Sequence, residues 1–227
     1  MKPWFVCALL ALALVAGCSS SATSPANSAE LRVINASPGT GPIDVYLQTA
    51  LAVDSLPYSA ANPYVFVQSG TVDVAVRSHV AINVLLETGP SFTVGAFYTF
   101  AVTGPSGALT DVFLTDDTTS AASGNFKLRM VHLAPAGSAM DLYYTGPSDD
   151  LTTATPIATA VAFTGSTGYL TPPIGTSRIR VTQAGTKTVL IDSGTLTFTT
   201  GQVSTLFVIG NPTNGGGAPY SGEFLSL

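Results

Sequence analysis

The feature that most constrains this chain is an internal repeat. Residues 31–47 align without a gap on residues 128–144, and the similarity resumes where Val84–Gly89 matches Val189–Gly194. Each copy is about 90 to 100 residues long, the size of a small domain. Identical residues recur in the first block: Leu31, Arg32, Pro38, Asp44 and Tyr46 correspond to Leu128, Arg129, Pro135, Asp141 and Tyr143. The chain is therefore predicted to contain the same domain twice.

Hydrophobic periodicity within each copy predicts β-strands. Every second residue is apolar in segments 43–48 and 71–77, and Gly, Pro, Asn and Ser separate such runs. A period of two is typical of strands with one buried face, and no segment has the pattern of an amphipathic helix. We therefore predict an all-β fold of two tandem antiparallel β-sandwiches, immunoglobulin-like or prealbumin-like, with about seven strands each. A single β-barrel is the alternative, but it does not explain why the pattern restarts at Leu128.

Composition excludes several classes of protein. Only 9% of the residues are charged and 46% are hydrophobic, which argues against both a coiled coil and intrinsic disorder. The net charge is -5 and there is no basic run. Because nucleic-acid affinity depends on neutralising phosphates, nucleic acid is not an expected partner.

The N-terminus carries the pattern of an export signal. Lys2 precedes a continuous apolar run, Phe5–Ala16. A helix of that length reaches about 18 Å, too short for a hydrocarbon core of about 30 Å, so a cleaved secretory signal is predicted. Val15-Ala16-Gly17-Cys18 resembles a bacterial lipobox, and this resemblance implies that residues 1–17 are removed and that the Cys18 thiol carries fatty acyl chains. An ordinary secretory signal with an incidental cysteine is the alternative.

The remaining boundaries follow from composition. Ser19–Ala29 is small, polar and aperiodic, so residues 18–29 are predicted to form a lipidated cysteine and a flexible tether. Residues 30–117 and 125–227 are predicted to be the two sandwiches, joined by a linker at 118–124. Ser19, rather than Asp, follows the cysteine; by resemblance to Gram-negative lipoproteins, this implies anchoring in the outer membrane.

The repeated motif also resembles a known family. Leu31–Pro38, Ile43–Leu47 and Tyr64–Gly70 resemble the bacterial and archaeal family called domain of unknown function 4397. In the second copy, Leu128–Tyr144 and Gly168–Val181 resemble it too. The resemblance implies secreted or surface-anchored β-sandwich modules, often in tandem, with no assigned activity and no catalytic residues to transfer.

One segment is similar to an enzyme signature. Val189–Thr195, with Asp192-Ser193-Gly194 at its centre, looks like the aspartic-protease motif, which needs two carboxylates sharing one proton. The repeat places Glu87-Thr88-Gly89 at the matching position. The preferred interpretation is a turn that ends one strand and opens the next, and an envelope hydrolase is kept as a minor alternative.

The other polar candidates favour structural roles. Neither His79 nor His132 has further metal-ligand types near it in sequence, so both are interpreted as solvated loop residues and no metal site or cofactor is predicted. The acid pairs at 116–117 and 149–150 are interpreted as solvated turn residues, with a calcium site as the less favoured alternative because no Asp-x-Asp-x-Asp spacing is present. Asp44 and Asp141 are expected to accept loop backbone N–H groups and so brace the strand entries. The glycines of 215–217 are expected to form a hairpin loop.

The sequence thus predicts a non-enzymatic display protein. Cys18 would hold it to a membrane, the tether would space it, and loops at the sandwich ends would contact an envelope protein or a glycan. A glycan- or peptide-binding module is the named alternative, which requires several tyrosines clustered on one exposed face together with loop acids. The candidate rings are Tyr46, Tyr58, Tyr64, Tyr143, Tyr144, Tyr169 and Tyr220.

Overall fold

The computed structural model describes residues 25–135, 137–210 and 220–226. All regular secondary-structure elements in these ranges are β-strands. Among these residues there is no helix long and apolar enough to cross a membrane. The all-β prediction is confirmed.

Ten strands build the first sandwich. They pair as two four-stranded sheets, β10-β9-β1-β4 and β3-β2-β6-β7, with a short β5-β8 pair at one edge. The strands are β1 (Ser28–Asn35), β2 (Ile43–Leu47), β3 (Ala50–Leu56), β4 (Val65–Gln68), β5 (Gly70–Thr71), β6 (Val74–Ser78), β7 (Val84–Thr88), β8 (Ser91–Phe92), β9 (Phe97–Thr103) and β10 (Thr110–Asp116).

Seven strands build the second sandwich in the same order. They pair as a three-stranded sheet, β11-β16-β17, and a four-stranded sheet, β13-β12-β14-β15. The strands are β11 (Lys127–His132), β12 (Met140–Thr145), β13 (Ala158–Val161), β14 (Gly175–Gln183), β15 (Val189–Phe198), β16 (Val203–Gly210) and β17 (Tyr220–Ser226). β14 and β15 run unbroken where the first sandwich divides the same path into shorter strands.

Nearly all strand pairs are antiparallel, as predicted, and each sandwich adds one parallel pair. β1 runs parallel to β9, and β11 runs parallel to β16. β1 and β11 are the first strands of their sandwiches, and β9 and β16 come near the end of the same sandwiches. A long connection therefore separates the two strands of each parallel pair, as parallel pairing requires. The recurrence of this pair at the same place in both copies fits the duplication read from the sequence.

Each sandwich has its own apolar core. In the first, Leu31 and Phe100 from one sheet meet Val45 from the other, and all three are fully buried. In the second, Met130 and Ile179 make the equivalent contact across the sheets. Alternate residues of each strand supply these cores, which is why the period-two pattern recurs in both copies.

A third apolar cluster joins the two sandwiches. The outer faces of β1 and β9 pack on those of β11 and β16, so these strands are buried on both sides. At the edge of this contact the Thr103 hydroxyl donates to the Leu133 carbonyl at 2.5 Å. The buried members of the cluster are Ile34, Ala36, Ala101, Val112, Val131, Leu133, Phe207 and Ile209.

Asp116 lies at the polar end of this contact. The sequence interpretation of Asp116 as a solvated turn residue is wrong, because its side chain is fully buried at the end of β10. Arg129 of the second sandwich donates to it at 2.5 Å, and Arg32 of its own sandwich lies 3.7 Å away. The Thr99 and Tyr64 hydroxyls also donate to it, each at 2.6 Å.

The two recurring arginines have matching surroundings. The Arg32 guanidinium carbon lies 4.9 Å from the centre of the Tyr64 ring, and that of Arg129 lies 4.5 Å from Tyr169. Burial, and next the hydrogen bond to Asp116, raise the pKa of Tyr64. In the Leu-Arg pair that begins each copy, the leucine therefore lies in the core of its sandwich and the arginine lies in the contact between the two sandwiches.

Candidate functional site

A groove of about 490 Å³ lies on the outer face of the β3-β2-β6-β7 sheet. Strand register places Tyr46, Ala75 and Glu87 side by side on β2, β6 and β7. The methyl group of Ala75 leaves a hollow between the two larger side chains. The lining residues are Gln48, Asp73, Val74, Ala75, Arg77, Glu87 and Thr88.

Arg77 is the cation of this groove. Its guanidinium carbon lies 4.6 Å from the centre of the Tyr46 ring, and this contact holds the side chain in place. Its Nε is buried and has no hydrogen-bond partner among the described residues. The Nε of Arg180 on the second sandwich is likewise buried and without a partner among the described residues, so this atom alone does not mark a ligand site.

The same face of the second sandwich is filled. Register places Tyr143, Arg180 and Asp192 where the first sandwich has Tyr46, Ala75 and Glu87. Arg180 occupies the hollow that Ala75 leaves, and its guanidinium donates to the Thr145 hydroxyl at 2.7 Å and the Asp149 carbonyl at 3.1 Å.

Loop length accounts for the rest of the difference. A two-residue turn, Gln48 and Thr49, joins β2 to β3, whereas residues 146–157 join β12 to β13. This longer loop folds over the sheet, with Leu151 buried and the Tyr143 ring only 2% exposed. One fold therefore presents an open polar groove in its first copy and a closed face in its second.

Asp44 and Asp141 occupy equivalent bulges. The Asp44 carboxylate accepts the Ser55 N–H at 2.8 Å. Asp141 accepts the Ala160 and Gly185 N–H groups, each at 2.8 Å. Ser55 and Ala160 both have positive φ, and their N–H groups belong to the neighbouring strand rather than to the preceding loop. Burial alone would raise the pKa of Asp44. The hydrogen bonds from the Ser55 N–H and from His79 outweigh burial, so the pKa of Asp44 is lowered.

Asp44 also contacts His79, a neighbour that the sequence analysis missed. The His79 Nδ1 lies 2.9 Å from Asp44 Oδ1 and 3.5 Å from Asp54 Oδ1. The three residues come from β2, from β3 and from the position directly after β6, so their spacing along the chain gives no sign of the cluster. Pairing of the strands was the signal needed to find it.

The interpretation of His132 as a solvated loop residue is wrong. It lies in β11, is fully buried, and occupies the place of Asn35 in β1. Its Nδ1 accepts the Ala134 N–H at 3.3 Å, and its Nε2 lies 3.2 Å from the Ser138 carbonyl. Burial lowers the pKa of His132.

The protease-like segment is not a turn between strands. Asp192, Ser193 and Gly194 lie inside β15, where pairing with β14 shifts register at a bulge and Gly194 has a φ of 64°. Arg178 forms a two-pronged ion pair with Asp192, and the hydrogen bond from Arg178 lowers the pKa of that carboxyl. Such a carboxylate is held ionised, whereas a dyad that shares one proton needs a raised pKa.

The tyrosines do not gather on one exposed face. Tyr143 is buried, while Tyr64 and Tyr169 lie beside the arginines between the sandwiches. Tyr144 packs beside Phe126 in the second core. A binding surface built from several exposed rings is therefore absent from the described residues. Tyr46 alone lies beside the groove.

Several predicted sites lie outside the described residues. These are the apolar run, Cys18 and the glycines of 215–217. β1 begins at Ser28, so the last two residues of the predicted tether belong to a strand, and both are buried.

The strand pairing defines an all-β protein built from two sandwiches that pack against each other. Residues 29–143, just over half of the chain, match the model of the family described as domain of unknown function (DUF4397), and the chain belongs to this family. The match covers the first sandwich and reaches β12. The resemblance of the second copy to the same family stays a prediction.

Comparisons with known proteins add little. No curated protein matches this sequence. A structure of α-glucan binding by a streptococcal virulence factor is 10% identical, with a TM-score of 0.28, covering 79% of this chain and 92% of that one. The CBM26 module of Eubacterium rectale Amy13K, in complex with maltoheptaose, is 14% identical, with a TM-score of 0.26, covering 87% of this chain and 96% of that one. Scores of this size establish neither a shared fold nor a shared ligand.

Proposed function

We propose that this protein is a lipid-anchored, non-enzymatic component of the cell envelope whose first sandwich binds a glycan in the groove beside Tyr46. The observation that carries the proposal is the contrast between the two copies. Ala75 and a two-residue turn leave the groove open in the first sandwich, whereas Arg180 and residues 146–157 fill the same face in the second.

The surface of several exposed rings that the sequence interpretation required of a glycan-binding module is absent from the described residues, so the proposal rests on the polar lining of the groove, which matches the chemistry of a sugar. Arg77 donates hydrogen bonds, Asp73 and Glu87 accept them, and Gln48 and Thr88 do both. Sugar hydroxyls donate and accept as well, so a sugar offers a hydrogen-bond partner of the right kind to each of these groups. With two acids and one cation, the lining does not favour a polyanion, and its polar character does not favour an apolar ligand.

A glycan array with two variants tests this proposal. The Ala75→Arg variant introduces the side chain that the second copy tolerates at the equivalent position, so it fills the groove while the fold is kept. Val94→Arg adds the same side chain at a turn residue that is 57% exposed and outside the lining. We expect neutral oligosaccharides to bind the wild type and Val94→Arg and to lose at least tenfold in affinity for Ala75→Arg. Absence of binding, or equal binding by all three proteins, would contradict the proposal.

The anchor rests on the sequence pattern at Cys18. A short apolar run, the Val15–Cys18 motif and a polar tether follow one another in the order that an envelope lipoprotein requires. Two or three acyl chains, as the lipobox resemblance implies, would hold the protein firmly, since each buried methylene contributes about 0.8 kcal/mol. Ser19 after the cysteine supports the outer membrane as its location.

Mass spectrometry of the N-terminal peptide tests the anchor. We expect the mature protein to begin at an acylated Cys18, and globomycin to cause uncleaved precursor to accumulate. Cys18→Ala is expected to abolish acylation. A mature chain that begins elsewhere with an unmodified N-terminus would refute the anchor and would leave the groove proposal unaffected.

A further inference from the structure

Three metal-ligating side chains meet at one end of the groove-bearing sheet. One nitrogen or oxygen from each of Asp44, Asp54 and His79 can be chosen so that all three atoms lie within 4.8 Å of one another. His79 Nδ1 lies 2.9 Å from Asp44 Oδ1 and 3.5 Å from Asp54 Oδ1. The sequence analysis predicted no metal site, and none of the comparisons assigns one.

These separations match the ligand spacing of a tetrahedral ion. Zinc–nitrogen and zinc–oxygen bonds of about 2.0 to 2.2 Å place neighbouring ligands about 3.3 to 3.5 Å apart. His79 Nδ1 lies closer than this to Asp44 Oδ1 and at the upper end of the range from Asp54 Oδ1, and all three atoms lie within 4.8 Å of one another, so side-chain rotations can bring them around one ion.

The donor set favours zinc over calcium or magnesium. Calcium takes six to eight oxygens and magnesium keeps an octahedral oxygen shell, whereas an imidazole suits zinc. Two carboxylates also balance the charge of the ion. Arg77, the cross-strand partner of Asp44, lies over the Tyr46 ring and forms no ion pair with Asp44 among the described residues.

One ligand is held in place and the site is open. Asp44 Oδ1 accepts the Ser55 N–H at 2.8 Å, a hydrogen bond of the kind that orients metal-binding carboxylates. The Asp44 side chain is 13% exposed, that of His79 is 39% exposed and that of Asp54 is 67% exposed. An ion can therefore enter from solvent and keep a water molecule as its fourth ligand.

The second copy shows that the fold does not need this cluster. Register places Thr159 and Ala184 where the first copy has Asp54 and His79. Asp141 is kept, and two backbone N–H groups satisfy it instead. The additional carboxylate and imidazole of the first copy, which contact each other and Asp44, are therefore not required by the fold itself.

We propose that Asp44, Asp54 and His79 bind one Zn²⁺ ion, with water completing the coordination. The site is independent of glycan binding, although it lies on the same sheet. Arg77 is the residue nearest to both, since it lines the groove and pairs with Asp44 across β2 and β6.

Calorimetric titration of the metal-free protein with zinc chloride tests the proposal. We expect one ion per chain in the wild type and at least a tenfold weaker affinity in His79→Ala and Asp54→Asn. Asp111→Asn, which removes an acid of β10 in the same sandwich outside both the cluster and the groove, is expected to bind as the wild type does. Thermal unfolding without zinc checks that each variant is folded.

Three outcomes would overturn the zinc site. They are no zinc binding by folded wild type, zinc binding that both ligand variants retain, and binding of calcium or magnesium in preference to zinc. Destabilisation of His79→Ala without any zinc binding would identify an ion pair only, which also refutes the site. None of these outcomes bears on the glycan array, so the two proposals fail separately.

Discussion

His132 and Asn35 show how two residue types fill one buried position. Asn35 donates to the Gly41 and Leu56 carbonyls at 3.0 and 3.1 Å, and its side-chain oxygen accepts the Ser37 N–H. His132 contacts the equivalent loop of the second sandwich through both ring nitrogens. The ring makes these contacts in its neutral form, because burial lowers its pKa.

This difference predicts a pH dependence of stability. The unfolded chain protonates His132 near its ordinary pKa of about 6.5, whereas the folded chain protonates it only at lower pH. The free energy of unfolding is therefore expected to fall as the pH drops from 7.5 to 5. His132→Asn, which copies the first sandwich, is expected to flatten that slope in urea denaturation. An unchanged slope in the variant would contradict this assignment.

Ile82 is a strained residue at the tip of the β6–β7 hairpin. Its φ is 61° and its side chain is 68% exposed, so a β-branched residue adopts a left-handed conformation without the benefit of burial. Ile82→Asn is expected to raise the free energy of unfolding by about 1 kcal/mol, because Asn tolerates this conformation.

Val80 provides the control for that change. It is 80% exposed in the same hairpin and does not have a positive φ. Val80→Asn is expected to change stability by less than about 0.5 kcal/mol. Equal effects of the two substitutions in chemical denaturation would show that backbone strain at Ile82 is not the cause.

The recurrence of Asp44 and Asp141 in the repeat indicated a structural position from sequence alone. The expected donors were N–H groups of the preceding loop, whereas the donors Ser55 and Ala160 lie on the adjacent strand, which strand pairing and not local sequence brings close.

Asp116 was misjudged because its burial depends on Arg129 of the other sandwich, a partner that no local pattern shows. His132 was misjudged although its ring partners, Ala134 and Ser138, are close in sequence, because the pattern did not show that β11 continues to this residue and buries it.

At the scale of elements, β10 and β11 are linked through Asp116. Two arginines from different sandwiches contact one carboxylate, and two hydroxyls donate to it. Removing one partner from such a group leaves buried charges uncompensated. We therefore expect Asp116→Ala to lower the free energy of unfolding by about 3 to 5 kcal/mol.

The adjacent acid is the matched control. The Asp117 side chain is 41% exposed and pairs with Lys127, whose hydrogen bond lowers the pKa of Asp117 to about 2. Because an exposed pair is screened by solvent, Asp117→Ala is expected to change the stability at pH 7 by less than about 1 kcal/mol. Similar losses for the two variants would contradict the buried network.

Strands were easier to predict than their pairing. β2 alternates because Ile43 and Val45 lie in the core while Asp44 and Tyr46 are on the other face, which period two indicates directly. In β6 the outward-facing Ala75 is buried as well. β9 and β16 are buried on nearly every residue, because their outer faces meet across the sandwiches. Their parallel pairing with β1 and β11 joins distant segments, and no local signal in the sequence specifies it.

At the scale of the whole molecule, duplication explains both the likeness and the difference of the two halves. The repeat predicted two similar folds, and the structure contains two similar sandwiches. The repeat in the sequence did not predict that the first copy would leave a groove open. That outcome depends on a single alanine in place of an arginine and on the length of one loop, features that carry meaning only once the strands are aligned in space.

The contact between the sandwiches could not be predicted from the sequence either. Ile34, Val131 and Phe207 look like ordinary core residues in a strand pattern, yet they belong to the third cluster. Because β1, β9, β11 and β16 are buried on both faces, the two sandwiches pack into one unit. The groove lies on the sheet opposite to this contact, so packing of the two sandwiches leaves it accessible.

Nuclear magnetic resonance mapping tests most directly whether the open face is the binding surface. The labelled protein would be titrated with the oligosaccharide that binds most strongly on the array, and backbone amide shifts would be followed. We predict perturbations at Tyr46–Gln48, Asp73–Arg77 and Glu87–Thr88, with none on the equivalent face at Tyr143, Arg180 and Asp192. Perturbations confined to the second sandwich, or spread over both faces alike, would contradict the account.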